Sequence, residues 1–243
     1  MRIVLALALM LCNVCAYTCY STHCEDIRVG LGAHHSKTYN TGVYLSGYAA
    51  YHKGIFYIAG GVIIGQVSPT LTPTTDLNTY NQNDTSLFTA ITPHIGVKLG
   101  GENPLFVYIQ AQWERYGIGE YNDTSLNVSQ LFIGPAMAYY ANISDSIVLE
   151  VGVGMGANIL RDYINESVNK GFERETSHID RSYRVDTFLG MRFKRGETYH
   201  KKSDIYVRLN AIAYHNATTS TLPPRRDYAF MLECGISLEN LLG

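Results

Sequence analysis

Charged residues are scarce in this chain: Asp, Glu, Lys and Arg together make up 16% of its 243 residues. Soluble domains contain about 25%, so little of this protein's surface is suited to face water. The net charge of −2 also lacks the basic excess that marks nucleic-acid-binding proteins. We therefore predict no nucleic-acid partner.

Long apolar runs and metal-ligand patterns are missing as well. Beyond the N-terminus no apolar stretch reaches the length of about 18 residues that a membrane-spanning helix needs. The five cysteines and eight histidines do not show the spacing of metal ligands. The sequence thus predicts no metal and no other cofactor.

The N-terminus has the three parts of an export signal. Arg2 supplies the positive start, residues 3–11 are apolar, and residues 14–16 form an acceptable small-residue cleavage site. We predict a signal peptide over residues 1–16. Because exported proteins meet an oxidising compartment, Cys19 and Cys24 could close a small disulfide loop.

Side chains alternate strictly over residues 147–159, which predicts a β-strand. The even positions carry three glycines together with Glu150 and Asn158. Since glycine packs little on a strand face, such a face suits a crowded interior better than water. We predict that the aliphatic residues form the outer face: Ile147, Leu149, Val151, Val153, Met155, Ala157 and Ile159.

The same alternation occurs ten times along the chain, although eight strands is an alternative count. Many of these segments are long enough to cross a bilayer as a tilted strand, which takes about 9 to 11 residues. The predicted strands are 26–35, 42–52, 55–67, 86–100, 105–119, 127–141, 146–162, 182–195, 204–215 and 227–239.

Short turns and long polar links alternate between these strands, with the link 196–203 as an exception of middling length. This alternation is typical of an antiparallel, up-and-down transmembrane β-barrel, whose long loops lie outside the cell. The short turns are 52–54, 101–104 and 142–145, and the long links are 68–85, 164–181 and 216–226.

The chain at this point resembles the small outer-membrane β-barrel proteins of Gram-negative bacteria, of the opacity and OmpA-like class. The resemblance rests on the signal peptide, the two-residue period, the loop alternation and the tyrosine-rich strand ends. It implies a location in the outer membrane, with membrane lipid and lipopolysaccharide as neighbours. Residues 17–25 would then be a periplasmic segment and 26–243 a single barrel domain. The last strand is followed by residues 239–243, whereas such proteins usually end on an aromatic residue.

Parity also predicts which side chains face the lumen. Because unpaired charges in a narrow interior are costly, we expect an ion-pair network that fills the barrel, with a small-solute pore as the alternative. The predicted network consists of Arg28, Lys98, Glu114, Glu150, Arg184, Asp186, Arg192, Arg208 and Glu233, accompanied by Gln110, Gln112 and Asn210.

Aromatic residues near the strand ends are candidates for the girdles that membrane barrels place at the lipid interfaces. The alternative is that some of them fill the lumen. The candidates are Tyr44, Tyr57, Tyr108, Trp113, Tyr139, Tyr183 and Tyr228.

The chain lacks the signatures of catalytic barrels, and we predict that it is not an enzyme. After His215 and Asn216 comes Ala217, where a lipid A deacylase would carry its nucleophilic serine, so the acyl-transfer machinery is missing. His178 and Asp180 lack the paired acids of the ten-stranded rim proteases.

Function is therefore assigned to the outer loops, since recognition commonly lies on loops held by a rigid scaffold. We predict that the link 164–181 contacts a partner such as a host surface, an extracellular protein, a phage or lipopolysaccharide, in an adhesion or recognition role. Its candidate contact residues are Glu166, Lys170, Phe172, Arg174, His178, Asp180 and Arg181.

A different class of protein, a secreted and glycosylated soluble β-barrel or sandwich, stays open because the chain has several Asn-x-Ser/Thr sequons. Such a protein would place its aliphatic residues inside. The six sequons begin at Asn83, Asn122, Asn127, Asn142, Asn165 and Asn216.

Overall fold

A computed structural model describes residues 24–36, 41–67, 86–100, 103–121, 124–167, 171–177, 182–194, 202–216 and 225–239. Within these ranges the regular structure is entirely β, and no helix is long and apolar enough to cross a membrane. The strands are β1 (Cys24–Ser36), β2 (Thr41–Lys53), β3 (Phe56–Val67), β4 (Ser86–Leu99), β5 (Leu105–Tyr121), β6 (Thr124–Ser144), β7 (Ile147–Ser167), β8 (Gly171–Ser177), β9 (Tyr183–Phe193), β10 (Lys202–Asn216) and β11 (Arg225–Glu239).

Ten of these strands form a closed ring, in which each pairs antiparallel with its neighbours. The ring closes where β1 pairs with β11, from Ile27 opposite Leu238 to Ser36 opposite Ala229. The predicted all-β, up-and-down barrel of ten strands is confirmed. A closed ring leaves no sheet edge, which is the condition for β-structure to exist in lipid.

The apolar residues face outward, as the alternation predicts. On β7, Val153 and Met155 are 44% and 55% exposed, whereas Glu150 is 1% exposed. The same holds on other strands, where Leu31 and Leu189 are more than half exposed. A soluble barrel would have the opposite arrangement, so the outer surface of this barrel is suited to lipid.

Glycines on the inner face make room for large side chains of neighbouring strands. A Cβ on Gly152 would collide with the ring of Phe188, and a Cβ on Gly32 would collide with the ring of Tyr44. The even-numbered, glycine-rich face of β7 therefore lies in a crowded interior.

The turns at one end of the barrel are tight. Gly54, between β2 and β3, and Gly100, after β4, have φ values of 60° and 83°, a conformation that glycine adopts without a steric penalty. We call this end, where β2–β3, β4–β5 and β6–β7 connect, the turn end, and the opposite end the loop end.

The expectation of an irregular loop over residues 164–181 is wrong for much of that segment. β7 continues to Ser167, and β8 returns alongside it, with Arg161 opposite Ser177 and Ser167 opposite Gly171. Hydrophobic alternation could not reveal this hairpin, because that signal arises only where one strand face meets a core or lipid. β8 is an eleventh strand that stands outside the closed ring.

Replacing Val153 with Arg should weaken membrane folding by about 2 to 4 kcal/mol, since Val153 lies near the middle of the spanning part of β7 and faces lipid. The free energy of folding into lipid vesicles, followed by the heat-modifiable shift on gels, measures this effect. The control is Asp145→Arg in the exposed β6–β7 turn. Equal folding of both variants would contradict the outward facing.

Gly152→Leu should destabilise the barrel, because the new side chain collides with Phe188 inside the lumen. The double variant Gly152→Leu with Phe188→Ala should regain much of the lost stability, because removal of the Phe188 ring makes room for the added side chain. Urea unfolding in detergent micelles compares the two variants. A double variant less stable than Gly152→Leu alone would show that the two residues do not share that space.

Candidate functional site in the barrel lumen

A buried ion cluster crosses the lumen around Glu150, which is 1% exposed. Its carboxylate accepts two hydrogen bonds from Arg28, at 2.7 and 2.8 Å from Nη1 and Nη2. Arg208 Nη2 lies 2.8 Å from Oε2, and Arg192 Nη2 lies 3.1 Å from Oε1. One carboxylate is thus held by three arginines from three different strands.

Arg28 links this carboxylate to the turn end of β1. Its Nε donates to Asp26 Oδ2 at 2.6 Å, and Ser237 Oγ donates to the other oxygen of Asp26 at 2.6 Å. The guanidinium also lies 5.6 Å from the ring centre of Tyr48 and 5.5 Å from that of Tyr206. These distances are within the range of cation–π attraction, so Arg28 is fixed on several sides.

A second cluster surrounds Glu114 near the loop end. Arg184 forms an ion pair with its Oε1, and Tyr214 donates to the same oxygen at 2.9 Å. The amides of Gln112 and Gln130 donate to Glu114 at 2.5 and 2.9 Å. Four donors satisfy this buried carboxylate, as a charge removed from water requires.

Two further acids face the lumen, Asp186 at the edge of the second cluster and Glu233 apart from both. Asp186 accepts a hydrogen bond from Gln110 Nε2 at 3.0 Å, and its oxygen is 3.7 Å from Arg184 Nε. Glu233 accepts a hydrogen bond from Tyr206 at 2.5 Å. Within the part of the chain that the structure describes, Glu233 forms no ion pair.

The structure thus brings seven of the nine predicted network residues into two ion clusters. Arg28, Glu150, Arg192 and Arg208 form one, and Glu114, Arg184 and Asp186 form the other. Glu233 faces the lumen beside Tyr206, and Lys98 Nζ lies 2.7 Å from His52 Nε2 at the turn end.

Sequence reasoning missed several members of these clusters. Asp26 is the first residue of the predicted strand 26–35, and Gln130 lies within the predicted strand 127–141. Arg161 lies within the predicted strand 146–162, beyond a register shift that brings an odd-numbered residue to the inner face. Arg161 Nη2 reaches Gln130 Oε1 at 3.4 Å. Tyr206 and Tyr214 lie at inward-facing positions of β10. The same alternation would have identified them if tyrosines had been included in the predicted set of lumen-facing residues.

The seven aromatic residues proposed as girdles divide between the two faces. The interpretation is wrong for Tyr44, Tyr57 and Tyr108, which are less than a tenth exposed inside the lumen, because they lie on the inward parity. Trp113 is partly buried, and its indole N–H donates to Ser129 Oγ at 2.8 Å. The outward, exposed members are Tyr139, Tyr183 and Tyr228.

The inward tyrosines pack with phenylalanines into an aromatic cluster in the turn half of the barrel. Tyr48 and Tyr57 share a hydrogen bond of 2.6 Å, and the rings of Tyr57 and Phe106 are 4.7 Å apart. Phe106 meets Tyr140 edge-on at 5.2 Å. These rings fill lumen space that water would otherwise occupy.

Two cavities lie on either side of Glu150. The loop-side cavity has a volume of about 210 Å³ and includes Arg208 in its wall. The turn-side cavity has a volume of about 250 Å³ and includes Arg192. Because Glu150 bonds to both arginines, the ion cluster is a septum between the cavities, and Tyr48 borders both of them.

The predicted surface contacts lie mostly outside the described residues. Glu166 belongs to β7, and Phe172 and Arg174 belong to β8, with Glu166 opposite Phe172; only their backbone is described. Outside the described residues are Lys170, His178, Asp180, Arg181 and Cys19.

The proposed disulfide cannot be placed, because only the backbone of Cys24 is described. The signal peptide also lies outside the described residues. Cys234 is a free thiol on the outer face. Over the described ranges, no three His, Cys, Asp or Glu side chains lie close enough together to hold a metal ion.

Comparison with solved structures shows similarity to outer-membrane barrels. The outer membrane protease OmpT of Escherichia coli is 10% identical, with a TM-score of 0.49 over 91% of this chain and 99% of that chain. The translocator domain of the autotransporter NalP of Neisseria meningitidis is 9% identical, with a TM-score of 0.45 over 98% of both chains. A major outer membrane protein of Thermus thermophilus is 11% identical, with a TM-score of 0.40 over 89% of this chain and 99% of that chain.

No protein-family model and no curated protein sequence matches this chain. The class of fold that the sequence resemblance implied is the one observed, a closed antiparallel barrel with its apolar face outward. Since one fold serves many functions, the activities of these barrels are not transferred to this protein.

Glu150→Gln should destabilise the barrel by about 3 to 5 kcal/mol, because it leaves buried arginines without their anion. Adding Arg208→Met should recover part of this loss by removing one of the uncompensated charges. Urea unfolding in micelles measures both variants. The assignment of Glu150 as the centre of the septum would be wrong if Glu150→Gln unfolded like the unmodified protein.

Proposed function

We propose that this protein resides in the outer membrane of a Gram-negative bacterium and acts without catalysis, as a scaffold that presents a recognition surface to the cell exterior. Three features support the location: the apolar outer face, the alternation of tight turns with long links, and the signal-like N-terminus. In such barrels the turn end faces the periplasm and the loop end the exterior.

The observation that carries the proposal is the length of β6 and β7. Each has 21 residues, whereas about 9 to 11 suffice to cross a bilayer. The surplus lies at the loop end, where residues 124–131 of β6 pair with residues 160–167 of β7. β5 residues 115–121 pair with this part of β6 on one side, and β8 pairs with β7 on the other.

This four-stranded extension of β5, β6, β7 and β8 gives the outer surface a rigid element, since its backbone groups are paired across four strands. Rigid presentation lowers the entropy cost of binding. The extension contains charged residues of both signs, among them Glu166 and Arg174. We assign its contacts to a partner with exposed charge, such as lipopolysaccharide or a host-surface protein.

The septum supports a scaffold in preference to a small-solute pore. Glu150 and its arginines lie between the two cavities, where Glu150, Arg28 and Arg192 are buried and Arg208 is partly buried. A path for solute would require breaking several charge-assisted hydrogen bonds, which are the strong ones in proteins. The second candidate, a gated pore, is favoured by the presence of a cavity on each side of so thin a barrier.

Shortening the β7–β8 hairpin tests the recognition role. Ile164 lies opposite Arg174, so residues 165–173 can be replaced by Asn-Gly, a turn suited to a two-residue hairpin. The variant should fold and reach the surface, yet lose adhesion of whole cells to host cells or to lipopolysaccharide.

The matched control is the link between β10 and β11. Asn216 lies opposite Arg225, so residues 217–224 can be replaced by the same Asn-Gly turn. This control should keep the adhesion. If both variants adhere like the unmodified protein, the extension is not the recognition surface.

Planar-bilayer recordings should show no steady conductance for the unmodified barrel, because the septum separates its two cavities. The double variant Tyr48→Ala with Glu150→Ala removes the side chain that borders both cavities and the central carboxylate of the ion cluster. It should show ion conductance in the same recordings. Steady conductance of the unmodified protein would favour the pore instead.

A further inference from the structure

The loop-side cavity is large enough for an organic molecule. Its volume of about 210 Å³ is several times the roughly 30 Å³ that a water molecule occupies in the liquid. Aromatic side chains form much of its wall, including Tyr108, Phe188 and Tyr214. Mostly aromatic and apolar walls with a few polar groups are typical of small-molecule sites.

The polar groups of this wall include several hydrogen-bond acceptors. Gln112 uses its amide N–H group on Glu114, and Gln110 uses its own on Asp186. The carbonyl oxygens of Gln110 and Gln112 accept no hydrogen bond from the described residues. A ligand would therefore meet these amide oxygens, beside the Nε groups of Arg184 and Arg208, which have no hydrogen-bond partner among the described residues.

The carboxylates of the wall add negative charge. Glu233 is 9% exposed, and its carboxylate is approached by two neutral phenols, those of Tyr206 and Tyr44. Asp186 has one oxygen bound by an amide, and its nearest cation, Arg184, is in closer contact with Glu114. Both carboxylates line the loop-side cavity.

The two arginines of the wall are already engaged with other acids. Arg184 pairs with Glu114. Arg208 lies opposite Glu233 in the strand register, but its Nη2 contacts Glu150 in the septum and its guanidinium lies 4.4 Å from the ring centre of Phe188. Both guanidinium groups are thus held by other acids, although Nε of each has no hydrogen-bond partner among the described residues. An anionic ligand would also meet the carboxylates of Asp186 and Glu233.

We propose that the loop-side cavity binds a small organic cation that carries a primary ammonium group. The ammonium supplies three donors and no acceptor, which complements the free oxygens of Gln110, Gln112, Asp186 and Glu233. The surrounding rings attract a cation through their faces and accommodate the apolar part of the ligand. This site is separate from the surface extension and does not depend on the recognition role.

Three probes of nearly equal shape and different charge test the proposal: benzylammonium, benzyl alcohol and benzoate. Calorimetric titration of the folded barrel in a zwitterionic detergent should show saturable binding of benzylammonium, with benzyl alcohol at least about tenfold weaker and benzoate unbound. Empty micelles give the partitioning background for each probe.

Glu233→Gln keeps the size of the side chain and an acceptor for Tyr206, and should weaken benzylammonium binding by about tenfold or more, the loss expected for a charge-assisted hydrogen bond. Asp186→Asn should weaken it as well and serves as the readout if Glu233→Gln fails to fold. The control Asp145→Asn makes the same charge change in the exposed β6–β7 turn and should leave binding unchanged. The heat-modifiable gel shift verifies folding.

The proposal is overturned by any of three results. Benzylammonium does not saturate above the micelle background, benzyl alcohol binds as tightly as benzylammonium, or the folded carboxylate variants bind benzylammonium as well as the Asp145→Asn control does. In the hairpin-shortened barrel, binding should persist even if that variant has lost adhesion, so the two proposals can fail separately.

Discussion

In lipid an unpaired backbone N–H or C=O group costs several kcal/mol, and the rest of this structure depends on meeting that constraint. Closure of β1 on β11 pairs both edges of what would otherwise be an open sheet. Once the ring is closed, each strand has one face toward lipid and one toward a narrow lumen. The aliphatic residues take the first face, and the glycines, amides and charged residues take the second.

The narrow lumen then determines the chemistry of the interior. Charges removed from water need partners, and the barrel provides them across its width: Arg28 and Glu150 are 122 positions apart in the chain. Their cluster separates two cavities, and the loop-side cavity has an acceptor-rich wall. Scaffold, septum and cavity are thus consequences of one geometry, in which polar side chains from ten strands converge on a small space.

The two-residue period predicted the strands closely because lipid selects strongly for one face. Residues 86–100 and 55–67 were assigned as strands, and β4 and β3 cover Ser86–Leu99 and Phe56–Val67. The period could not predict which acid meets which arginine, because that depends on the stagger between distant strands. It also did not reveal β8, whose residues 171–177 are mostly polar. The inward position of Tyr44 follows the parity of β2 and was missed because that residue was assigned from its place near a strand end.

The central claim is that the odd-numbered residues of β7 from position 147 to position 159 meet lipid. A scan of single cysteines over residues 147–157, in a Cys234→Ser background and with a fluorescent label in reconstituted vesicles, tests it most directly. Lipid-soluble quenchers should reach labels at odd positions and not at even ones. Quenching at even positions, or equal quenching along the strand, would contradict the account.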